Sequence, residues 1–281
     1  MPRHAWIELG AINVSASPHP DGVYRQMLLA AANKDIEVFG DDFAKITEAS
    51  ERDPGIFIGR ILVWTKIDKG GDWVNLQKNQ KASEQDKSKI VLVPTIQPNY
   101  KSFQFAFIEK KHWLVVEYKN ELRQRFSPKR AERFFRNLFS RDILGEEFPD
   151  IEITVIPDED SLARLLSIEH LRRLKIVIVR PNPDDMGDHA EEVLASMEQN
   201  GAGQYAVELA KARGISTLTP SPKTLNLAEI ATTNGYVQGE GRNGDTPVFE
   251  STKDHPQVYK IKVPAGSSFS AEFFSAIKSF F

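Results

Sequence analysis

The 281-residue sequence contains no cysteine, and this absence excludes several kinds of site. Disulfide bonds, thiolate-bound zinc, cysteine-bound iron–sulfur clusters and a cysteine nucleophile all require the missing residue. The sequence also lacks an apolar run long enough to cross a bilayer, and no apolar signal segment follows its first residues. We therefore expect a cytoplasmic protein that does not contact membranes.

The sequence also lacks the common catalytic signatures. It has no Gly-x-Ser-x-Gly motif, no phosphate-binding loop ending in Gly-Lys-Ser, and no glycine-rich turn between a strand and a helix. The three glycines of residues 239–244 lie between short predicted strands, so they predict a hairpin turn. The six histidines show no spacing typical of metal ligands or proton relays. We expect no cofactor and, as the first hypothesis, no enzymatic activity.

Charge is present in ordinary amount but is unevenly distributed. Charged residues make up 27% of the chain and the formal net charge is −3, as in many globular proteins. Residues 110–141, however, hold ten Lys or Arg against three acidic residues, whereas residues 182–281 hold eight against thirteen. Such separation indicates a surface that faces a polyanion, or a basic helix that pairs with acidic neighbours.

The clearest secondary-structure signal lies between Ser127 and Asp185. Ser127 and Pro128 predict the start of a basic amphipathic helix over 128–140, because serine caps helices and proline suits their first turn. Phenylalanines on its apolar face predict packing on a sheet. A strand at 151–156, a helical turn at 167–174 and an apolar strand at 176–179 follow, and we expect both strands to be central in one sheet.

The remaining elements predict an α+β protein. We expect a mixed β-sheet with helices packed on one side in a domain of residues 1–181, and a smaller acidic α+β region of residues 182–281. Further predicted strands and helices are at 6–14, 23–32, 42–49, 56–67, 103–107, 113–118, 189–197, 223–233, 236–239, 247–251, 257–263 and from 268 or 270 to the end. Residues 66–89 predict a long polar loop, with room for a short helix after Ser83.

Basic residues give the leading hypothesis for function. Arginine's rigid fork suits phosphate, and several such contacts give binding that is independent of sequence and sensitive to salt. A solvated or protein-facing surface would use the same residues, and that alternative stays open. The hypothesis is binding of double-stranded DNA or another nucleic acid by a homodimer, and the candidate residues are Lys129, Arg130, Arg133, Arg136, Arg172 and Arg173.

Acidic residues give a second hypothesis. Asp158, Asp160, Asp184 and Asp185 follow the two predicted central strands, where a metal-dependent nuclease would place its carboxylates. Helix capping explains the same positions. A third hypothesis is a protein-interaction subunit of a defence complex, in which the 66–89 loop or the phenylalanine-rich C-terminus docks on a partner encoded by a neighbouring gene.

Three segments resemble an uncharacterised bacterial family of the domain-of-unknown-function type. They are residues 1–14, 171–185 and 234–241, and the resemblance extends over the full length. Because such proteins occur near prophages and phage-defence genes, the resemblance implies an antiphage role. At the level of fold alone the chain is similar to Rex-type phage exclusion proteins, which implies a two-domain, dimeric, nonspecific DNA binder.

Overall fold

The structure, a computed structural model, describes residues 5–47, 49–179 and 188–281. Its helices vary from one turn to three. They are α1 (Val23–Ala31), α2 (Glu84–Ser88), α3 (Pro128–Leu138), α4 (Arg141–Leu144), α5 (Ser161–Leu166), α6 (Asp188–Gln199), α7 (Pro222–Thr233) and α8 (Phe269–Phe280).

The described residues also form fifteen strands. They are β1 (Ala5–Ser17), β2 (Ile36–Phe39), β3 (Asp42–Ile46), β4 (Ser50–Asp53), β5 (Ile56–Thr65), β6 (Val74–Asn75), β7 (Gln80–Lys81), β8 (Lys101–Ile108), β9 (Trp113–Lys119), β10 (Asp150–Val155), β11 (Arg173–Val179), β12 (Gln204–Ala210), β13 (Gly235–Asn243), β14 (Thr246–Ser251) and β15 (Tyr259–Val263).

These strands form three sheets. The larger sheet has nine strands, with the order β10-β1-β9-β8-β5-β3-β2, while β15 pairs with β1 and β4 pairs with β5. The smaller sheet has the order β12-β11-β13-β14, and β6 pairs with β7. The α+β class is confirmed. Pairings between the described strands are antiparallel, not mixed as expected, because hairpins join many of the neighbouring strands.

The larger sheet carries helices on both faces because side chains alternate along each strand. On one face, Phe103, Phe105 and Phe107 of β8 join the core formed with α1, α3 and α4. On the other face, Ala106 and Ile108 of β8 pack with α8. Helices were expected on only one side of the sheet. The structure places α8 on the other side as well.

Helix α3 confirms the predicted basic helix, with its end at Leu138. The Ser127 hydroxyl accepts a hydrogen bond from the Arg130 N–H, and Pro128 occupies the first turn. Its buried residues are Ala131, Phe134, Phe135 and Leu138, which recur at intervals of three and four and so form one apolar face. This face packs the helix on the larger sheet.

The expectation that two central strands share one sheet is wrong. Strand β10 pairs with β1 at the end of the larger sheet, whereas β11 lies inside the smaller sheet between β12 and β13. An apolar run shows that a strand is covered on both faces, but it does not show which strands pair with it. The helical turn expected at 167–174 is also misplaced, because α5 ends before it and β11 already begins at Arg173.

The boundary between the two predicted domains lies outside the described residues, and the division stays a prediction. Strand pairing nevertheless links the two parts. Strand β11 precedes the boundary yet belongs to the smaller sheet, and β15 follows it yet pairs with β1, with Ile261 opposite Ile7. Among the described residues, no helix is long and apolar enough to span a membrane.

Candidate functional site

The basic side chains on the outer side of α3 point in two directions. Lys129, Arg133 and Arg136 are exposed and follow one line along the helix, at intervals of four and three residues. Arg130 turns aside, with its Nη1 3.1 Å from Asp42 Oδ2 and its guanidinium 5.9 Å from the centre of the Phe39 ring. We call Lys129, Arg133 and Arg136 the cationic stripe.

Two of the three residues in the cationic stripe form ion pairs. Lys129 Nζ lies 3.1 Å from Asp254 Oδ1, and Arg136 Nη2 donates to Glu132 Oε1 at 2.5 Å. Arg133 has no ion pair within the described parts of the chain. The Lys129–Asp254 pair is exposed, and exposed ion pairs contribute only about 0–1 kcal/mol, so a phosphate group can replace Asp254 at low cost. Arg136 is held more firmly, because Glu132 is largely buried and Arg136 Nη2 also donates to the Ile153 carbonyl oxygen at 3.3 Å.

The other two predicted basic residues belong to a different sheet. Arg172 and Arg173 are exposed at the start of β11, and Arg173 Nη1 lies 3.9 Å from Glu240 Oε2. The six predicted residues therefore do not form one helix face. Their assignment to nucleic-acid binding stays a prediction. Of the four predicted residues on α3, the three of the cationic stripe face solvent along one line, whereas Arg130 turns toward Asp42.

The predicted carboxylates are only partly described. Both Asp158 carboxylate oxygens accept hydrogen bonds of 2.8 Å from Arg164 Nη2, and this hydrogen bond raises the pKa of Arg164. Asp160 precedes α5 without a side-chain capping bond. Asp184 and Asp185 lie outside the described residues. Within 5–47, 49–179 and 188–281, no group of three or more His, Asp or Glu side chains could hold a metal ion, so the described carboxylates do not support a nuclease centre.

Two histidines that looked dispersed in the sequence are neighbours in the fold. The His19 and His112 rings have centroids 4.8 Å apart, and each lies about 5 Å from the Tyr24 ring. His112 is buried on a left-handed backbone, with φ 55°. The two histidines meet because the β8–β9 turn and the segment before α1 lie together in the fold, which the spacing in the sequence could not show. Their contacts with aromatic rings make this a packing cluster.

A row of polar residues crosses the opposite face of the larger sheet, under α8. Arg60 of β5 pairs in register with Gln104 of β8. The Gln104 N–H donates to Glu117 Oε2 of β9 at 2.8 Å. These residues lie on the same side of three adjacent strands as Ala106, whose side chain packs with α8. Sheet pairing thus brings together three residues that are distant in sequence.

This row forms one wall of a pocket of about 570 Å³. Ser268, Phe269 and Ser270, at the N-terminal end of α8, form another part of the lining. We call this cavity the polar pocket. A second cavity of about 550 Å³ shares Arg60, Gln104 and Ser270 with it and adds Arg52. The two cavities together make an extended, polar depression beside the start of α8.

Glu117 is the most unusual ionisable group in the polar pocket. It is 1% exposed, and its Oε1 has no hydrogen-bond partner within the described structure. Burial raises the pKa of the Glu117 carboxyl to about 8, against the opposing effect of the Gln104 N–H, and Glu121 raises it further. Glu117 is therefore mostly protonated at neutral pH and can donate a hydrogen bond. The sequence signal was a single acid inside the apolar run of β9.

Comparison with known proteins gives a family. Residues 6–279 match the family described as Domain of unknown function (DUF4747). The chain belongs to the DUF4747 family. The cationic stripe and the polar pocket, on the two faces of the larger sheet, both lie inside the matched range, so each is part of the DUF4747 domain. A search of curated proteins gives no significant match.

The DUF4747 assignment confirms the resemblance to an uncharacterised family over the full length of the chain. It assigns no activity to any residue. The functional interpretation of this DUF4747 protein consequently depends on the geometry of its own side chains.

Proposed function

We propose that the protein binds the phosphate backbone of nucleic acid, without sequence specificity and without cleaving it, through the cationic stripe of α3. The observation that carries this proposal is the exposure of Lys129, Arg133 and Arg136 along one line, with Arg133 unpaired among the described residues. A row of exposed cations is the arrangement that backbone phosphates favour.

The packing of α3 supports this role. Phe134, Phe135 and Leu138 are each 0% exposed, and Phe135 lies 6.1 Å from the Phe105 ring of β8. The helix backbone is therefore fixed on the sheet before any ligand arrives. Binding then loses mainly side-chain freedom, which lowers the entropic cost of association.

Acidic residues beside the stripe limit its strength. Glu132 and Asp254 pair with Arg136 and Lys129, so a phosphate must displace them. Three phosphate contacts on duplex DNA would give a slope of about −2.7 in a plot of log affinity against log salt concentration. We expect weak to moderate binding that falls steeply with salt.

Fluorescence anisotropy tests the proposal. Labelled double-stranded DNA, single-stranded DNA and RNA would each be titrated with protein across a salt series, with and without Mg²⁺. Arg133→Ala should lower affinity and reduce the magnitude of the salt slope by about one, because one phosphate contact is lost. Arg213→Ala, at an exposed arginine after β12 and outside the stripe, is the matched control and should behave like the wild-type protein.

Each alternative gives a different result in the same experiment. Equal affinity of Arg133→Ala and the wild-type protein would reject the stripe as the site. An absence of binding to all three nucleic acids would reject the function and favour the protein-interaction hypothesis. Strands cut only when Mg²⁺ is present would favour the nuclease hypothesis.

The biological setting that we propose is antiphage defence in the cytoplasm by a homodimer. This part of the proposal comes from the resemblance to proteins found near phage-defence genes. Plaque assays on cells that express the wild-type protein or the Lys129→Ala, Arg133→Ala, Arg136→Ala triple variant would test it. Protection should require the intact stripe, and equal plaque numbers with and without the wild-type protein would reject the role.

A further inference from the structure

We propose that the polar pocket is a second binding site and that its ligand is a small organic phosphate, a phosphomonoester of sugar or nucleotide size. The site lies between β5, β8 and β9 and the N-terminal end of α8, on the face of the larger sheet opposite α3. It is independent of the cationic stripe, and either proposal can fail without the other.

Two arginines supply the positive charge. Arg60 lines the polar pocket and Arg52 lines the adjoining cavity. Both are exposed, and in the described residues neither forms an ion pair. An unpaired guanidinium offers several N–H donors in a fork that matches phosphate oxygens. Because both arginines line the depression, their charge favours an anion there.

The start of α8 supplies backbone donors. This helix has twelve residues, and the first N–H groups of any helix have no acceptor within the helix. Ser268 occupies the N-cap position, yet its side chain makes no capping hydrogen bond. Phosphate groups commonly bind at such helix ends. Ser270 adds a hydroxyl to the same lining.

Glu117 supplies the second and independent indication of a ligand. Its Oε2 accepts from the Gln104 N–H, while its Oε1 is buried without a partner in the described structure. A buried polar atom left unpaired costs about 1–3 kcal/mol, and such atoms are uncommon in native proteins. A phosphate oxygen would accept a hydrogen bond from the protonated carboxyl and complete its pairing.

The charges around Glu117 explain why its protonation state matters. Arg60 and Glu121 line the polar pocket with it, whereas the residues contributed by α8 are uncharged. On the neighbouring strand β1, Glu8 is already paired with Lys119 and Arg125. Ionised Glu117 would lie beside Glu121 and would repel a phosphate. We therefore expect the site to bind its ligand only when Glu117 is protonated.

The size and walls of the pocket point to an organic ester more than to a free phosphate ion. A cavity of about 570 Å³ is within the range of small-molecule sites. Tyr100, Leu122 and Phe269 add apolar surface to its lining. A sugar or nucleoside attached to the phosphate would cover this surface.

Isothermal titration calorimetry at pH 7 with adenosine monophosphate, glucose 6-phosphate and inorganic phosphate tests the proposal. We expect binding of at least one ester and weaker binding of inorganic phosphate. Arg60→Ala should weaken ester binding by tenfold or more, because a charge-assisted hydrogen bond is lost. Arg213→Ala, at an exposed arginine after β12 that lies outside both proposed sites, is the matched control and should leave the dissociation constant unchanged.

A pH series between 7 and 9.5 tests the part played by Glu117. Phosphomonoesters keep the same charge over this range, since their second pKa is about 6. The dissociation constant of the wild-type protein should rise roughly 10- to 30-fold as the protonated fraction of Glu117 falls. Glu117→Gln keeps a neutral donor, so its dissociation constant should change less than threefold.

Three results would overturn the proposal. One is an absence of binding by folded wild-type protein to all three probes at millimolar concentration. Another is equal affinity of Arg60→Ala and the wild-type protein. The third is a rise of the dissociation constant with pH that is the same in Glu117→Gln, which would remove Glu117 from the site. Circular dichroism of each variant confirms folding before the titrations.

Discussion

The two faces of the larger sheet place charge in opposite ways. On one face, α3 buries its phenylalanines and holds Lys129, Arg133 and Arg136 in solvent. On the other face, Glu117 is buried in the sheet itself, beneath the start of α8. Exposed charges remain hydrated and contribute little to stability. A buried carboxyl loses hydration of its charged form, so its pKa rises and it stays protonated at higher pH. The first face suits an extended polyanion, and the second suits a small ligand.

The largest expected effect comes from the apolar side of α3. Phe135→Ala removes a fully buried ring that contacts Phe105, and it should lower the free energy of unfolding by about 3–5 kcal/mol. Urea denaturation followed by circular dichroism measures this. A loss below about 1 kcal/mol would contradict the view that the aromatic face fixes the helix.

The next effect is the dependence of stability on pH that the buried Glu117 carboxyl causes. Folding raises the pKa of Glu117 from 4.5 to about 8, so the unfolded chain releases this proton at lower pH. The stability that this group contributes is complete below pH 4.5 and is lost as pH rises through 8. The total loss is up to roughly 5 kcal/mol, because each pKa unit corresponds to about 1.4 kcal/mol.

Urea denaturation of the wild-type protein and Glu117→Gln at several pH values between 5 and 9 measures that loss. The glutamine variant has no proton to release, so the difference in unfolding free energy between the two proteins should grow with pH in favour of the variant. Parallel pH profiles would show that Glu117 is not the group responsible.

A smaller effect concerns the start of α3. Ser127→Ala removes the hydroxyl that accepts from the Arg130 N–H, and it should cost about 1 kcal/mol of unfolding free energy. Ser127→Asp is the control, because aspartate also caps helices. If alanine and aspartate gave equal stability, the capping bond would not contribute.

The smallest effect on stability belongs to the stripe. Lys129→Ala should change the free energy of unfolding by less than about 1 kcal/mol, because its pair with Asp254 is exposed. The same variant should nevertheless weaken nucleic-acid binding. A loss of several kcal/mol in this variant would show that the Lys129–Asp254 pair stabilises the fold. It would contradict the view that charges on the α3 face contribute little to stability.

Local signals in the sequence were sufficient for part of this fold. The N-cap, proline and apolar spacing of α3 lie within a dozen residues, and the strands of the β8–β9 hairpin are joined by a short turn, so both were predictable. The same is true of the short helix after Ser83, where a capping box is present.

The pairing of strands that are distant in the sequence could not be predicted from such local signals. Strand β15 returns to pair with β1, and β10 and β11 enter different sheets, although their sequences look alike. The polar row of Arg60, Gln104 and Glu117 depends on the register of three strands. The sequence shows a lone glutamate in an apolar strand, but only the pairing shows what surrounds it.

The measurement that tests the contrast most directly is a carbon-detected NMR titration of the Glu117 carboxyl, with Glu117→Gln used to assign its signal. Burial predicts a pKa of about 8 for this group. A midpoint near pH 8 would show a carboxyl that is neutral under physiological conditions and able to donate a hydrogen bond. A midpoint near 4.5 would show an ordinary, ionised glutamate, and it would contradict both the stability profile and the proposed phosphate site.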